Sequence, residues 1–302
     1  MVHGARWALL LGIAAGPGTA WAGAWVPERG HGYVKTWTKW HWGFLDYVDG
    51  NGDILPFGAY HEVFQSTYGE VGIGAGLAVT WHTDLVRFFV LGNPRDGSRQ
   101  RHLAPGDPRL GLRVRLLRTG RFVMAADAGL RAPLAPDMPV QDVFAREPPM
   151  PQIGELRVGA GIFEADAGVR AGFGWKKGYL ASSLGWELRG GRFDDRLLWS
   201  VEGGTQFGRR VGTRLRASGV HSVRSEGLPA AEGPSGIGNG TSWTGLAVEA
   251  DVALGRLDGP VRWALGLTEE TGITLVRRRS GGLTTSLNLS ASLSPRGSSG
   301  PR

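Results

Sequence analysis

The stretch "GDPRLGLRVRLLRTGRF", residues 106–122, places Arg109, Gly111, Arg113 and Arg115 on one side of a two-residue alternation. Leu110, Leu112, Val114 and Leu116 take the other side. A cationic row of this kind suits two tasks: gripping a phosphate backbone, or lining the wet face of a sheet whose opposite face is apolar. The formal net charge of +7 and an isoelectric point near 10.2 fit an anionic partner, and only the placement of the charges decides between the two. Other reactive candidates are few. "DGNGD", Asp49 to Asp53, alternates side-chain oxygens as calcium loops do. An EF-hand would need Gly and Glu where this chain has Ile54 and Tyr60, so a polar external turn is the better reading. His31, His41, His61, His82, His102 and His221 show no metal-binding spacing. His221 and Ser222 are adjacent and, on a strand, point to opposite faces. "GIGAG" lies inside a strand pattern, where a dinucleotide loop cannot form. With no cysteine, disulfides and thiolate metal sites are excluded. No catalytic residue, metal or cofactor is expected.

The elements that carry these residues are strands. After the first 22 residues nearly every apolar pattern has period two, as in Val71, Ile73, Ala75, Leu77, Val79 and Trp81 of "VGIGAGLAVTW". About twelve such runs occur, most as long as the roughly 9–11 residues a tilted strand needs to cross a bilayer. Their connections alternate short and long. The short ones are read at Gly69-Glu70, Thr119-Gly120, Lys176 to Gly178, Gly208 to Arg210 and Arg256 to Pro260. Long ones are read at Thr83 to Pro105, Pro133 to Ile153 and Arg224 to Thr241. "DYVDGNGDILP" also falls on the long side, and only the links near Gly191 and Gly281 are short there. Outer-membrane barrels alternate periplasmic turns and external loops in this way. The composition agrees: 50 Gly, 12 Trp, 41% hydrophobic residues and a mean hydropathy of −0.14. The fold expected is all-β, a transmembrane antiparallel up-and-down barrel. Residues 1–22 read as a signal peptide, with a basic start, the apolar "WALLLGIAAG" and a small-residue cleavage site at Ala20 to Ala22. Residues 23–294 form the barrel and 295–302 a disordered tail. Near Ile162 the apolar phase changes, which a β-bulge or a separate loop segment would each produce.

On such strands one face is dense with charge: Lys35, Lys39, Arg113, Arg115, Asp127, Arg131, Asp166, Arg170, Glu187, Arg189, Glu202, Arg214, Arg216, Glu249 and Asp251. A single Arg facing lipid at mid-depth costs about 2–4 kcal/mol, so this face must meet water or pair with itself. Counting back from a three-residue turn at Thr119 to Arg121 sets Arg113 opposite Asp127. The same count from Gly208 to Arg210 sets Glu202 opposite Arg216. Two readings stay open: a charged constriction that selects solutes, or a salt-bridged interior that fills the barrel. Trp40, Trp42, Trp81, Trp175, Trp186, Trp199, Trp243 and Trp263 are expected to form the interfacial girdles, while Trp37 alternates inward.

"AWVPERGHGYVK", "STYGEVGIGAGLAV", "GDPRLGLRVRLL" and "GYLASSLGWELRGGRFDDRLLWSVEGG" together resemble outer-membrane barrels associated with phenol-degradation pathways, of the MetA type. More loosely the chain resembles FadL-type transporters. The resemblance implies a barrel in the bacterial outer membrane that passes small molecules, some hydrophobic or aromatic. Its partners would be outer-membrane lipid, a small-molecule solute and the barrel-assembly machinery, and not nucleic acid. The last apolar strand residue is Leu293 and the chain ends on Pro301-Arg302, where such barrels usually end on an aromatic. The alternative is a non-conducting structural or surface-interaction barrel with a plugged lumen.

Overall fold

The computed structural model describes residues 23–43, 47–48, 54–55, 60–92, 99–135, 161–190, 193–223, 231–232, 237–238, 243–256, 260–273 and 282–294. The expected leader, the expected tail and the "DGNGD" turn lie outside these residues. So do most of the long connections at 133–153 and 224–241, and Gly191 and Gly281.

Twelve long antiparallel strands form one closed barrel. They are β1 (Gly32–Gly43), β2 (Tyr60–Gly74), β3 (Leu77–Gly92), β4 (Arg109–Thr119), β5 (Phe122–Arg131) and β6 (Glu164–Trp175). The series continues with β7 (Gly178–Arg189), β8 (Arg196–Phe207), β9 (Val211–Ser222), β10 (Trp243–Leu254), β11 (Val261–Ile273) and β12 (Gly282–Leu293). Each pairs with its sequence neighbours, and β1 closes the ring on β12 with Gly32 opposite Leu293 and Gly43 opposite Gly282. Closure leaves no unpaired edge, which a sheet crossing hydrocarbon requires. Among the described residues no helix is long and apolar enough to cross a membrane.

Alternation sorts the side chains inside out. Leu110, Leu112, Val114, Leu130, Leu180, Leu184, Leu188, Leu215, Val248 and Leu267 are exposed on the outer wall, whereas Arg113 is 2% exposed on the inner one. An exposed apolar surface running round the molecule means something when a soluble protein rarely shows more than a few hundred Å² of it. Here it is a lipid-facing belt.

Three boundaries differ from the sequence expectation. The first short turn, between β2 and β3, runs from Gly74 to Leu77 and not through Gly69-Glu70, so "VGIGAGLAVTW" is two strands. Ala75 in that turn has φ 51° between two glycines that also have positive φ, a geometry the alternation of residue types conceals. The segment 83–105 is largely strand: β3 runs on to Gly92, and its upper part pairs with a short strand at Arg99–Ala104. A bulge in β3, between Asp84 and Val86, breaks the period there and made this stretch look irregular. The β4–β5 turn joins Thr119 to Phe122 with two residues instead of three. At the phase change near Ile162, strand pairing begins only at Glu164, which is the separate-segment alternative.

Candidate solute path in the barrel lumen

Lys35, Lys39, Arg113, Asp127, Arg131, Asp166, Arg170, Glu187, Arg189, Glu202, Arg214, Arg216, Glu249 and Asp251 all fall on the inner-wall positions of their strands. They form two unlike groups that share Arg170.

One group is a solid ion-paired wall on β2 and β4–β8. Arg113 Nε donates to Asp127 at 2.6 Å and its Nη1 to Glu70 at 2.7 Å. Tyr68 donates to Glu70 at 2.8 Å, and Arg170 pairs with the other oxygen of Asp127. Arg109 makes a two-pronged contact with Asp166, its Nε at 2.6 Å and its Nη2 at 2.5 Å. Nearer the external end, Glu164 receives Arg189 at 2.8 Å and Arg131 at 3.3 Å, and Arg196 reaches Glu187 at 2.7 Å. Charges this buried are tolerable only when paired and hydrogen-bonded, and here each carboxylate meets more than one cation or donor. Outside the strands, burial pushes the Asp107 carboxyl above its ordinary range, although the Ala135 amide donates to it at 2.7 Å.

The second group surrounds an open cavity of about 270 Å³. Its lining includes Lys35, Trp37 and Lys39 of β1, Glu202 of β8, Arg214 and Arg216 of β9, Glu249 of β10 and Glu270 of β11. Glu249 accepts from Lys35 at 2.7 Å and from Arg214 at 2.8 Å, and Arg214 also reaches Asp251 at 3.3 Å. Five cationic side chains (Lys35, Lys39, Arg170, Arg214, Arg216) line this space against three carboxylates (Glu202, Glu249, Glu270).

Two expected ion pairs are resolved differently. Arg113 and Asp127 stand opposite and touch, as the hairpin count implies. Glu202 and Arg216 also stand opposite. Their contacts go elsewhere: Tyr179 donates to Glu202, and Arg216 lies 3.8 Å from Glu270. Arg115 sits at the turn end of the barrel, its amide bonded to Gly76 at 2.8 Å, below the cavity. Glu70 falls in the expected Gly69-Glu70 turn and Arg87 in the expected connection from Thr83 to Pro105, and neither they nor Glu62 and Tyr68 of β2 are among the expected inner-face residues. Arg87 donates to Glu62 at 2.9 Å in a buried pair.

A second unforeseen feature lies across the lumen. Residues 23–31 precede β1 and fold inward. The Trp25 ring packs 5.8 Å from that of Tyr179, and a Cβ at Gly172 would meet it at 2.7 Å. Val26 is buried with Ala78 and Ala125 of the inner wall. Gly30 donates to Gly72 O at 2.9 Å, and a Cβ on Gly72 would meet the Pro27 and Glu28 carbonyls at 2.3 and 2.2 Å. Gly23 itself lines the cavity.

The tryptophans stand on outer positions in two bands. Trp40, Trp42, Trp186 and Trp199 lie toward the long-loop ends of their strands, and Trp81, Trp175 and Trp263 toward the short-turn ends. Trp243 opens β10, and its side chain is outside the described set. Trp37 faces the lumen, stacked on His82 at 5.8 Å.

A closed antiparallel barrel, lipid-facing outside and charged inside, decides the class. This is a bacterial outer-membrane barrel. Its fold is similar to the crystal structure of the COG4313 outer membrane channel from Pseudomonas putida F1, with a TM-score of 0.56 and 12% identity over 92% of this chain and 99% of that chain. More distant are a Pseudomonas aeruginosa FadL homologue (TM-score 0.41, 8% identity, 87% and 89% covered) and the TodX deltaS2S3 mutant monoaromatic hydrocarbon channel (0.45, 10%, 89% and 91%). At 12% identity the fold is what this chain shares with the COG4313 channel. No protein-family model matches the chain, and no curated protein matches it.

Proposed function

We propose that this barrel is a passive channel for small molecules in the bacterial outer membrane. The observation that carries the reading is the cavity of about 270 Å³ inside the barrel, with five cations on its wall against three carboxylates. Solutes cross by diffusion along the β1 and β8–β12 side, while the ion-paired wall opposite keeps the barrel round and fills the remainder. An excess of cations along a narrow path favours anions. The resemblance to barrels of phenol-degradation pathways supports small aromatic solutes. The tryptophan bands anchor the barrel in outer-membrane lipid, the assembly machinery inserts it, and the leader is cut after Ala22. Purified protein in planar bilayers tests the reading: discrete conductance steps support it.

A second reading, a plugged structural barrel, is favoured by residues 23–31, which cross the lumen beside the ion-paired wall. A folded barrel that gives no conductance steps would establish it.

A further inference from the structure

We infer that the lumen holds a binding subsite for a small organic carboxylate, formed by Lys39, the indole N–H of Trp37 and the guanidinium of Arg216. The inference rests on the channel reading and narrows its solute class.

Most charges around the cavity already satisfy one another. Lys35 and Arg214 share Glu249 at 2.7 and 2.8 Å, and Arg170 is held by Asp127. Three groups keep a donor unused, although the Nη2 of one of them, Arg216, lies 3.8 Å from Glu270. Lys39 makes no ion pair among the described residues; its ammonium lies over the Trp37 ring at 5.8 Å and the Phe64 ring at 5.3 Å. Trp37 Nε1 and Arg216 Nε are buried without a hydrogen-bond partner among the described residues. All three side chains line the same cavity. Buried donors left unmade are costly, so an accepting ligand that entered this cavity and reached them would be favoured.

The ligand's chemistry follows from the donors and the space. One ammonium, one indole N–H and one guanidinium N–H match the acceptor-only head of a carboxylate, whose two oxygens offer about four lone-pair sites. The Trp37 ring stacks on His82 at 5.8 Å and has the Lys35 and Lys39 ammoniums each 5.8 Å from its centroid, so three neighbours hold the indole in place. The rings of Tyr33 and Tyr68 also line the cavity and give an apolar body something to lie against. A bare inorganic anion would leave that part of the space unused.

Benzoate, its uncharged isostere benzamide, and sulfate serve as probes, titrated by calorimetry into the purified barrel in detergent at constant ionic strength. Lys39→Met, Trp37→Phe and the conservative Lys39→Arg are compared, each shown to be folded by heat-modifiable migration on gels. Saturable benzoate binding is expected, with benzamide and sulfate each weaker by about tenfold or more. Lys39→Met should cost about tenfold, the loss typical of one charge-assisted hydrogen bond, and Lys39→Arg should recover most of it. Trp37→Phe should weaken benzoate more than benzamide. Absent benzoate binding, equal binding of benzamide or sulfate, or wild-type affinity in folded Lys39→Met overturns the subsite. The readout needs no conduction. A barrel that binds but does not conduct loses the channel reading and keeps the subsite; one that conducts without binding loses only the subsite.

Discussion

Arg113 shows how a single side chain can hold two strands in a membrane. It is 2% exposed and contacts Asp127, Glu70 and Tyr68. Replacing it with leucine leaves buried Glu70 with no cation and only the Tyr68 hydroxyl, and Asp127 with Arg170 alone, so Arg113→Leu should lower unfolding stability by roughly 3 kcal/mol, seen as a lower denaturation midpoint on heat-modifiability gels. Arg115→Leu, at the turn end, should change the same midpoint by no more than about 0.5 kcal/mol. The Arg113–Asp127 pair was readable from the sequence by counting back from the turn. The count was right although the turn is one residue shorter than assumed, because a bulge between Arg115 and Leu117 restores the register. Glu70 was not readable. The Gly69-Glu70 dipeptide has the composition of a turn, and its pairing with β1 on one side and β3 on the other makes it strand.

Among the elements, the segment before β1 packs against the inner wall of the barrel. "AWVPERGHG" carries no alternation, and its seat is set by contacts remote in sequence: Trp25 over Gly172, and Val26 against Ala78 and Ala125. No local pattern encodes such contacts, and nothing in the sequence alone places this segment in the lumen. A valine at Gly72 would occupy the space of two backbone carbonyls that cannot move aside independently. Gly72→Val should therefore displace the segment and raise single-channel conductance. Deleting residues 24–29 should raise it too, with the barrel still heat-modifiable. In the β2–β3 turn, Ala75 occupies a left-handed conformation that costs an L-residue about 1–2 kcal/mol. Ala75→Gly should recover part of this, measured as a higher denaturation midpoint.

For the whole molecule, the alternation of long and short connections and the period-two apolar rows were enough to anticipate twelve strands, a closed barrel and the sign of each face. Those features are local and repeat around the ring, so an error at one hairpin does not propagate. What local pattern could not supply is the division of the interior into a filled half and an open half. That division depends on which cation reaches which carboxylate across several strands, as Lys35 and Arg214 do in converging on Glu249. It also bears on the proposed selectivity, because the lining of the open half carries five cations, Arg170 among them held by Asp127 and Arg214 near Asp251, against three carboxylates. Conductance in a planar bilayer under a potassium chloride gradient probes this directly. Discrete steps are expected, with a reversal potential of the sign that marks chloride as the more permeant ion. Silence from a folded, heat-modifiable barrel, or a potassium-preferring reversal potential, would contradict an anion-favouring channel.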